Sequence, residues 1–197
     1  MIKAMNSLEE TVKRIQSGAK LVIAGDEKLL SQLPAGQWIG GTSVYFIGDE
    51  GGESTQEKLF VEELPSFVTD VTIREYDADN LSNVYDDAYE NGFSVIILPF
   101  ASEVLYSFAM NGLSYPGFAT RPLIGGVSGV KLEDLGVSVP KVYNGTTATG
   151  LENKAVVINA GLPANKVADI DIVNIFEQSD GDTLTLTTGG FNVSEVL

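Results

Sequence analysis

The chain is organised around the stretch Leu-Pro-Ala-Gly-Gln-Trp-Ile-Gly-Gly-Thr-Ser at residues 33–43. This stretch combines the only tryptophan of the sequence with a glycine pair and two hydroxyl side chains. Its end is repeated in Pro-Leu-Ile-Gly-Gly-Val-Ser at residues 122–128, so that Ile-Gly-Gly-x-Ser occurs at both 39–43 and 124–128. We therefore expect the fold to be built around two glycine turns, in one domain or in two halves that share a core.

The absence of two residue types limits the chemistry of the chain. Neither cysteine nor histidine occurs among its 197 residues. Disulfides, thiolate ligands, a Ser-His-Asp triad and histidine ligation of haem or metal are therefore excluded. The sequence predicts no metal site and no cofactor.

The charge of the chain bears on its partners. Twelve basic residues stand against 27 acidic ones, which gives a net charge of −15. Nucleic-acid binding requires a basic surface, and an anionic membrane repels a chain of this charge, so we predict neither partner. The acidity serves solubility or attracts a cationic partner.

The sequence contains no evident targeting segment. Residues 1–18 are amphipathic and of mixed charge, unlike a signal peptide. The longest apolar window, 93–113, is interrupted by Pro99, Ser102 and Glu103, which is typical of a strand followed by a helix rather than of a membrane span. We expect a cytoplasmic protein.

Apolar spacing and capping residues predict the helices. Leu8, Val12 and Ile15 share one helical face, and Ser7 with Glu10 forms a capping box in front of them. The predicted helices span residues 8–17, 27–33, 79 or 82 to 89, and 103–110.

Apolar runs and turn residues predict the strands. These strands span residues 20–25, 38–47 with an interruption at the glycine pair, 67–76, 93–100, 141–145, 154–160, 167–176 and 183–187. Residues 48–54 are predicted to be a solvated, mobile loop. The order predicts an α/β (α+β) fold, with a mixed, largely antiparallel sheet or two packed sheets flanked by helices.

The two glycine turns are the candidate ligand site. A glycine pair at a strand end leaves backbone N–H groups uncovered, and such groups bind carboxylate or carbonyl oxygens. Alternatively, the glycines only permit a positive φ or close packing. The candidate residues of the two turns are Gly40, Gly41, Thr42, Ser43, Gly125, Gly126 and Ser128.

Three further side chains can contribute to this site. Trp38 and Tyr45 can line an apolar pocket beside the first turn, although aromatic residues in strands also form cores. Arg121 precedes the second turn and can bind a ligand carboxylate through its guanidinium fork, or form a surface ion pair instead.

Two other functional classes stay open. A hydrolase could use Thr42, Ser43 or Ser128 as its nucleophile, but the sequence contains neither Ser-x-x-Lys nor Gly-x-Ser-x-Gly. A structural or assembly subunit could oligomerise through exposed strands without any ligand. We favour a non-enzymatic domain that binds a small polar metabolite, such as an amino acid or a carboxylate, between the two turns.

The order of these motifs resembles the N-terminal part of the FIST domain, a bacterial and archaeal sensory module. The resemblance covers residues 20–197 and depends on short motifs in a fixed order. These are Ile39-Gly40-Gly41-Thr42-Ser43, the strand at 95–100 with its following helix, Pro122-Leu123-Ile124-Gly125-Gly126, Val142-Tyr143-Asn144-Gly145, Ala155-Val156-Val157-Ile158, and Val193-Ser194-Glu195-Val196-Leu197.

This resemblance implies a signal-input domain that binds small ligands such as amino acids and passes a signal to an output domain or protein. Some members hold haem through a histidine, which this chain lacks. Gly41 stands where a cysteine is common in the family. We expect residues 1–197 to form a single domain of this kind, the N-terminal part of a longer protein.

Overall fold

The computed structural model describes residues 5–48, 51–177, 179–188, 193, 195 and 196. The helices are α1 (Leu8–Gln16), α2 (Glu27–Leu30) and α3 (Glu103–Asn111), with 3-10 turns at Leu81–Asn83, Gly112–Ser114 and Leu132–Asp134. The strands are β1 (Met5–Asn6), β2 (Leu21–Gly25), β3 (Trp38–Thr42), β4 (Tyr45–Gly48), β5 (Gly51–Ser54), β6 (Leu59–Glu63), β7 (Val71–Tyr76), β8 (Gly92–Pro99), β9 (Leu123–Ser128), β10 (Val142–Asn144), β11 (Thr149–Leu151) and β12 (Ala155–Gly161).

The strands form two main sheets and one hairpin. The six-stranded sheet has the order β1-β6-β2-β3-β10-β11, the four-stranded sheet has the order β7-β12-β8-β9, and β4 pairs with β5. Strand pairs β2–β3 and β8–β9 are parallel, and the other pairs are antiparallel. The predicted α+β fold with a mixed, largely antiparallel arrangement is confirmed.

Three apolar clusters show how the layers pack. The central cluster joins Ile39 and Val142 of the six-stranded sheet to Ile97, Val156 and Ile158 of the four-stranded sheet. A second cluster packs α1 and α2 against the outer face of the six-stranded sheet. A third packs α3 and the 3-10 turn at Leu81–Asn83 against the outer face of the four-stranded sheet. The architecture is therefore helix, sheet, sheet, helix.

The two sheets contain the same four-stranded unit. The order β1-β6-β2-β3 matches β7-β12-β8-β9, with the same parallel and antiparallel pairs. Ile39 pairs with Val22 in the first unit as Ile124 pairs with Val95 in the second. The repeated Ile-Gly-Gly motif therefore occupies the same position in both units. The units differ at their ends, because β10 continues the sheet beyond β3 while β9 is an edge strand.

Local sequence explains the longer helices. Ser7 Oγ accepts a hydrogen bond from the Glu10 amide, and the Glu10 carboxylate accepts one from the Ser7 amide at 2.7 Å, which completes the predicted capping box of α1. Ser102 caps α3 by accepting from the Leu105 amide at 3.2 Å. Among the described residues, no helix is long and apolar enough to cross a membrane.

Tyr76 makes the stability of the fold sensitive to alkaline pH. Its ring is buried and its hydroxyl donates to Asp87 Oδ2 at 2.9 Å. Burial, and then this hydrogen bond, raise the pKa of Tyr76 above its usual range, and burial raises the pKa values of Tyr85 and Tyr143 in the same direction. The folded state therefore favours the neutral phenols, and their stabilisation is complete below about pH 10, the usual tyrosine pKa, and is lost as the pH rises further.

We expect Tyr76→Phe to reduce this alkaline loss, because phenylalanine has no proton to release. The measurement is urea unfolding of both proteins in steps from about pH 8 to about pH 11. A decline in the free energy of unfolding that is equally steep in both would contradict the role assigned to Tyr76.

The structure differs from the sequence prediction at several segments before the C-terminal region. The helix expected from residue 79 or 82 to 89 is only the 3-10 turn Leu81–Asn83. Residues 48–54 do not form a solvated loop throughout, because Gly51–Ser54 pairs with Tyr45–Gly48, while residues 49 and 50 lie outside the described part. Residues 55–66 have no predicted element, but they contain β6, which lies between β1 and β2 in the sheet.

The glycine pairs are also not turns. Each pair lies inside a strand, β3 or β9, and none of the four glycines has a positive φ. Both pairs are extended because they belong to the second strand of a β-α-β unit, where parallel pairing with β2 or β8 fixes the backbone.

The predicted strands at 167–176 and 183–187 are wrong for the single chain. Within the described residues of this region the only pairing is an isolated bridge between Leu186 and Val196. Alternating apolar residues become a strand only where a neighbouring strand completes the hydrogen bonds. Their apolar side chains stay exposed instead, with Ile172 at 88% and Phe176 at 80%. Residues 194 and 197 of the C-terminal motif lie outside the described part.

Candidate functional site

A groove of about 600 Å³ lies between the two sheets, and we call it the inter-sheet groove. Its walls come from β2 and β6 on one side and from β8 and β9 on the other. Residues from both glycine motifs line it, so the structure brings the two motifs together as the sequence predicted. The residues that line the groove are Val22, Ile23, Ala24, Gly41, Thr42, Ser43, Phe60, Glu62, Glu63, Leu64, Pro65, Phe93, Val95, Ile97, Ile124, Gly125, Gly126, Val127 and Ser128.

The alternation of side chains along the strands explains this lining. Leu21 and Ile23 belong to the core beneath α1 and α2. Val22 and Ala24 therefore point to the opposite face of β2, toward the second sheet. The same alternation directs Phe60 of β6 into the groove, between Leu59 and Val61 of the outer core.

Gly41 lies where β3 packs closely against the second sheet. A β-carbon on Gly41 would lie 2.8 Å from Ile97 Cγ2 and 3.1 Å from Ser128 Cβ. Both contacts are shorter than ordinary packing allows. Glycine at this position therefore lets β3 approach β8 and β9, and it closes the inner end of the groove.

Gly126 has the opposite role. A β-carbon at this position would meet no atom within 4 Å. Neither packing nor a positive φ requires glycine here. The missing side chain leaves space in the groove, so Gly126 is the position where a larger residue would fill the site.

Ser128 supplies an unsatisfied polar atom at the inner end. Its side chain is 3% exposed, and its Oγ has no hydrogen-bond partner among the described residues. A buried hydroxyl without a partner destabilises the protein by roughly 1–3 kcal/mol unless a ligand or a water completes it. The adjacent backbone is fixed, because the Gly129 amide donates to the Thr42 carbonyl at 2.8 Å.

The two hydroxyls of the first motif already form hydrogen bonds within the protein. Thr42 Oγ1 accepts from the Lys141 amide at 2.9 Å, which holds β10 beside β3. Ser43 Oγ accepts from the Tyr45 amide at 3.3 Å and donates to the Tyr45 carbonyl at 3.1 Å. Of the three predicted hydroxyls, Ser128 is therefore the one available to a ligand.

Four predicted site residues lie elsewhere. Trp38 is fully buried on the outer face of β3, and Gly40 lies beneath its ring. Tyr45 is 44% exposed, and its hydroxyl accepts from the Leu132 amide. Arg121 donates to the Glu90 carbonyl at 2.8 Å in a separate cleft beside Phe118.

The charges along the groove favour some ligands over others. Among the residues that the structure describes, Glu62 and Glu63 are the charged ones that line the groove, and Glu63 pairs with Arg14 at 2.8 Å. Within the described part of the chain, no lysine or arginine lines the groove to bind a carboxylate. The apolar walls therefore favour a ligand with an apolar body that is neutral or cationic at its polar end.

These residues provide little support for hydrolysis. Glu62 pairs with Val22, and Val22 with Ile39. Glu62 is therefore two strand spacings across and two residues along the sheet from Gly41, a separation of about 12 Å. A general base must lie within hydrogen-bond reach of its nucleophile, and Ser128 packs against Gly41. Among the described residues there is also no cluster of three acidic side chains placed to hold a metal.

Sequence reasoning missed most of the lining. Phe60, Phe93 and Ile97 lie in strands that converge only in the folded protein, so no local motif connects them. Their signal in the sequence is the alternation of side chains within each strand, and reading it requires the strand boundaries and the order of the sheet.

Comparison with known proteins yields one match. A family model described as "Family of unknown function (DUF6976)" matches residues 6–197. No curated protein and no solved structure matches the chain.

Proposed function

The chain belongs to this family, DUF6976, and we propose that it is a signal-input domain whose inter-sheet groove binds a small molecule with an apolar body and one hydrogen-bonding group. The observation that supports this proposal is the buried, unpartnered hydroxyl of Ser128 at the inner end of an apolar groove. A ligand that offers a hydrogen bond there would satisfy Ser128 and remove apolar surface from water.

The size and lining of the groove fit such a ligand. Its volume of about 600 Å³ falls within the usual range of small-molecule sites. An amino acid with a large apolar side chain fits these walls better than a purely polar metabolite does. A free carboxylate would meet Glu62 rather than a basic side chain, so we expect neutral and cationic ligands to bind more tightly than anionic ones.

We infer the sensory role from the resemblance to FIST domains. The groove would be the site at which the domain binds its signal molecule. We propose that the domain acts in the cytoplasm and passes ligand occupancy to an output domain or protein. The absence of cysteine is compatible with a reducing compartment.

The experiment is a thermal-shift and calorimetric series with octanol, octylamine, octanoate, leucine and phenylalanine. We expect octanol and octylamine to raise the melting temperature more than octanoate does, because the groove is apolar and holds no basic residue. Leucine and phenylalanine test the amino-acid class predicted from the sequence.

Gly126→Leu locates the binding. Its side chain enters empty space, so the fold is retained while the groove is filled, and we expect the dissociation constants to rise at least about tenfold. Gly52→Leu is the matched control, because Gly52 lies in the β4–β5 hairpin, does not line the groove and also has no neighbour within 4 Å. Equal binding by the two variants would show that the ligand binds outside the inter-sheet groove, and no binding of any probe would refute this ligand class.

A further inference from the structure

The outer edge of β9 is an open hydrogen-bonding edge. The Pro122 and Ser128 carbonyls accept from the Ser94 and Phe100 amides, so the even-numbered residues of this strand face β8. The N–H and C=O groups of Leu123, Gly125 and Val127 therefore point away from β8. In the first unit the corresponding edge of β3 is covered by β10, but β9 has no second neighbour among the described residues.

This edge also lacks the usual protection against pairing. Natural edge strands are interrupted by charges, prolines or bulges, or are covered by another element. The strand β9 carries no charge, and Ile124 and Val127 are each 52% exposed. The opposite sheet continues beyond this edge with β6, whose Phe60 faces the groove. A further strand beside β9 would cover that surface.

The same chain carries a strand-like segment with no place in its own sheets. Residues 183–187 read Thr-Leu-Thr-Leu-Thr, with Leu184 at 73% and Leu186 at 60% exposure. Alternating leucines and threonines suit a strand with one covered face and one solvated face. The segment is uncharged, and its one pairing among the described residues is the isolated bridge from Leu186.

We propose that two copies of the chain exchange these segments, so that residues 183–187 of each copy add to β9 of the other. The added strand runs antiparallel to β9, as β10 does to β3. Leu184 and Leu186 then cover Phe60 and Ile124, while the threonines face solvent. Because both surfaces are uncovered in the single chain, reciprocal exchange closes them in one symmetric dimer.

The area is sufficient for such a dimer. Leu184, Leu186, Ile124 and Val127 are 52–73% exposed and offer roughly 100 Å² of apolar surface each, while Phe60 is half-buried against Phe46 and offers less, so two exchanges remove on the order of 800 Å² before the backbones are counted. With the paired backbones, the interface reaches the range of about 1,200–2,000 Å² that specific complexes use. The strand closes the open side of the inter-sheet groove and leaves Ser128 and Gly41 at its inner end.

Light scattering and sedimentation without any ligand test this exchange. We expect the chain to dimerise reversibly, and Ile124→Lys at the receiving edge or Leu186→Lys in the donated segment to raise the dimer dissociation constant at least about tenfold. Mixing the two variants should partly restore dimers, because the intact segment of one can still add to the intact edge of the other. Leu132→Lys is the control, since Leu132 is 65% exposed and belongs to the 3-10 turn Leu132–Asp134, outside both β9 and the donated segment.

Three results would overturn the proposal. One is a protein that stays monomeric at every concentration. This result would also overturn the exchange if hydrogen exchange showed that residues 183–187 pair with β9 of the same chain. Another is a dimer that neither lysine variant weakens, and the third is a mixture that dimerises no better than its components. The dimer is assayed without ligand, so a monomer would refute the exchange and leave the proposed ligand site in the groove standing.

Discussion

Replacing Trp38 with alanine is expected to lower the free energy of unfolding by about 3–5 kcal/mol, the largest effect of any single change considered for this chain. The indole is fully buried, and its ring stacks on Tyr143 with the centroids 6.3 Å apart. Its Nε1 donates to the Pro34 carbonyl at 2.9 Å, so truncation also leaves that acceptor without its partner.

Close packing by glycine makes this site unable to adjust. A β-carbon on Gly145 would lie 2.5 Å from Trp38 Cγ, and one on Gly40 would lie 3.1 Å from the far edge of the ring. Glycine backbone therefore covers part of the indole, and from these directions no side chain can move into the cavity that alanine would leave. Urea unfolding measures the effect, and Trp38→Phe serves as the control that should recover part of the loss. An effect of Trp38→Ala below about 1 kcal/mol would contradict this description of the core.

The second large effect is a difference in the free energy of unfolding between alanine substitutions at two adjacent glycines. We expect Gly125→Ala to lower the free energy of unfolding by about 1–3 kcal/mol, because its β-carbon would collide with the Ile96 backbone carbonyl. A backbone atom in a parallel pair cannot move aside as a side chain can. Gly126→Ala places the same methyl group in empty space, and we expect it to be neutral or to stabilise by up to about 1 kcal/mol, since alanine restricts the unfolded chain.

Each of these two variants serves as the control for the other, because both substitutions lie in the same strand and add the same methyl group. Chemical denaturation of the two variants provides the comparison. Equal destabilisation would show that packing requires both glycines. Gly126 would then not be a position with free space beside it in the groove.

Several elements of this fold are predictable from local sequence because local interactions determine them. The capping box of Ser7 and Glu10 fixes the start of α1, which was predicted at residues 8–17 and spans Leu8–Gln16. Strand β12 was expected at residues 154–160 and spans Ala155–Gly161, where its continuous apolar run is buried between β7 and β8. Such runs identify a central strand without knowledge of its neighbours.

The glycine motifs show where local reasoning fails. A glycine pair resembles a turn in sequence, but Gly41 is required by the approach of Ile97 from the other sheet, and Gly125 by the carbonyl of Ile96. These contacts join residues that are distant in sequence or lie in different strands, so only the fold reveals them. The motif correctly indicated that the two segments meet, whereas the backbone conformation followed from strand pairing.

The residues of the two glycine motifs that line the groove could be predicted from the sequence, whereas the lining residues from other strands could not. Gly41, Gly126 and Ser128 were selected from the repeated motif and line the groove together. Phe60 belongs to β6, whose position beside β2 depends on long-range pairing, and Arg121 was assigned by its closeness in sequence although its guanidinium binds the Glu90 carbonyl. Proximity along the chain does not determine which face of a strand or loop a side chain occupies.

Amide proton–nitrogen correlation spectra during an octanol titration test most directly whether the inter-sheet groove holds a small ligand at Ser128. We expect the shifted resonances to cluster at Ala24, Phe60, Gly126 and Ser128, and we expect Gly126→Leu to abolish these shifts while Gly52→Leu preserves them. Shifts confined to the cleft around Arg121, or shifts that persist unchanged in Gly126→Leu, would contradict binding in this groove.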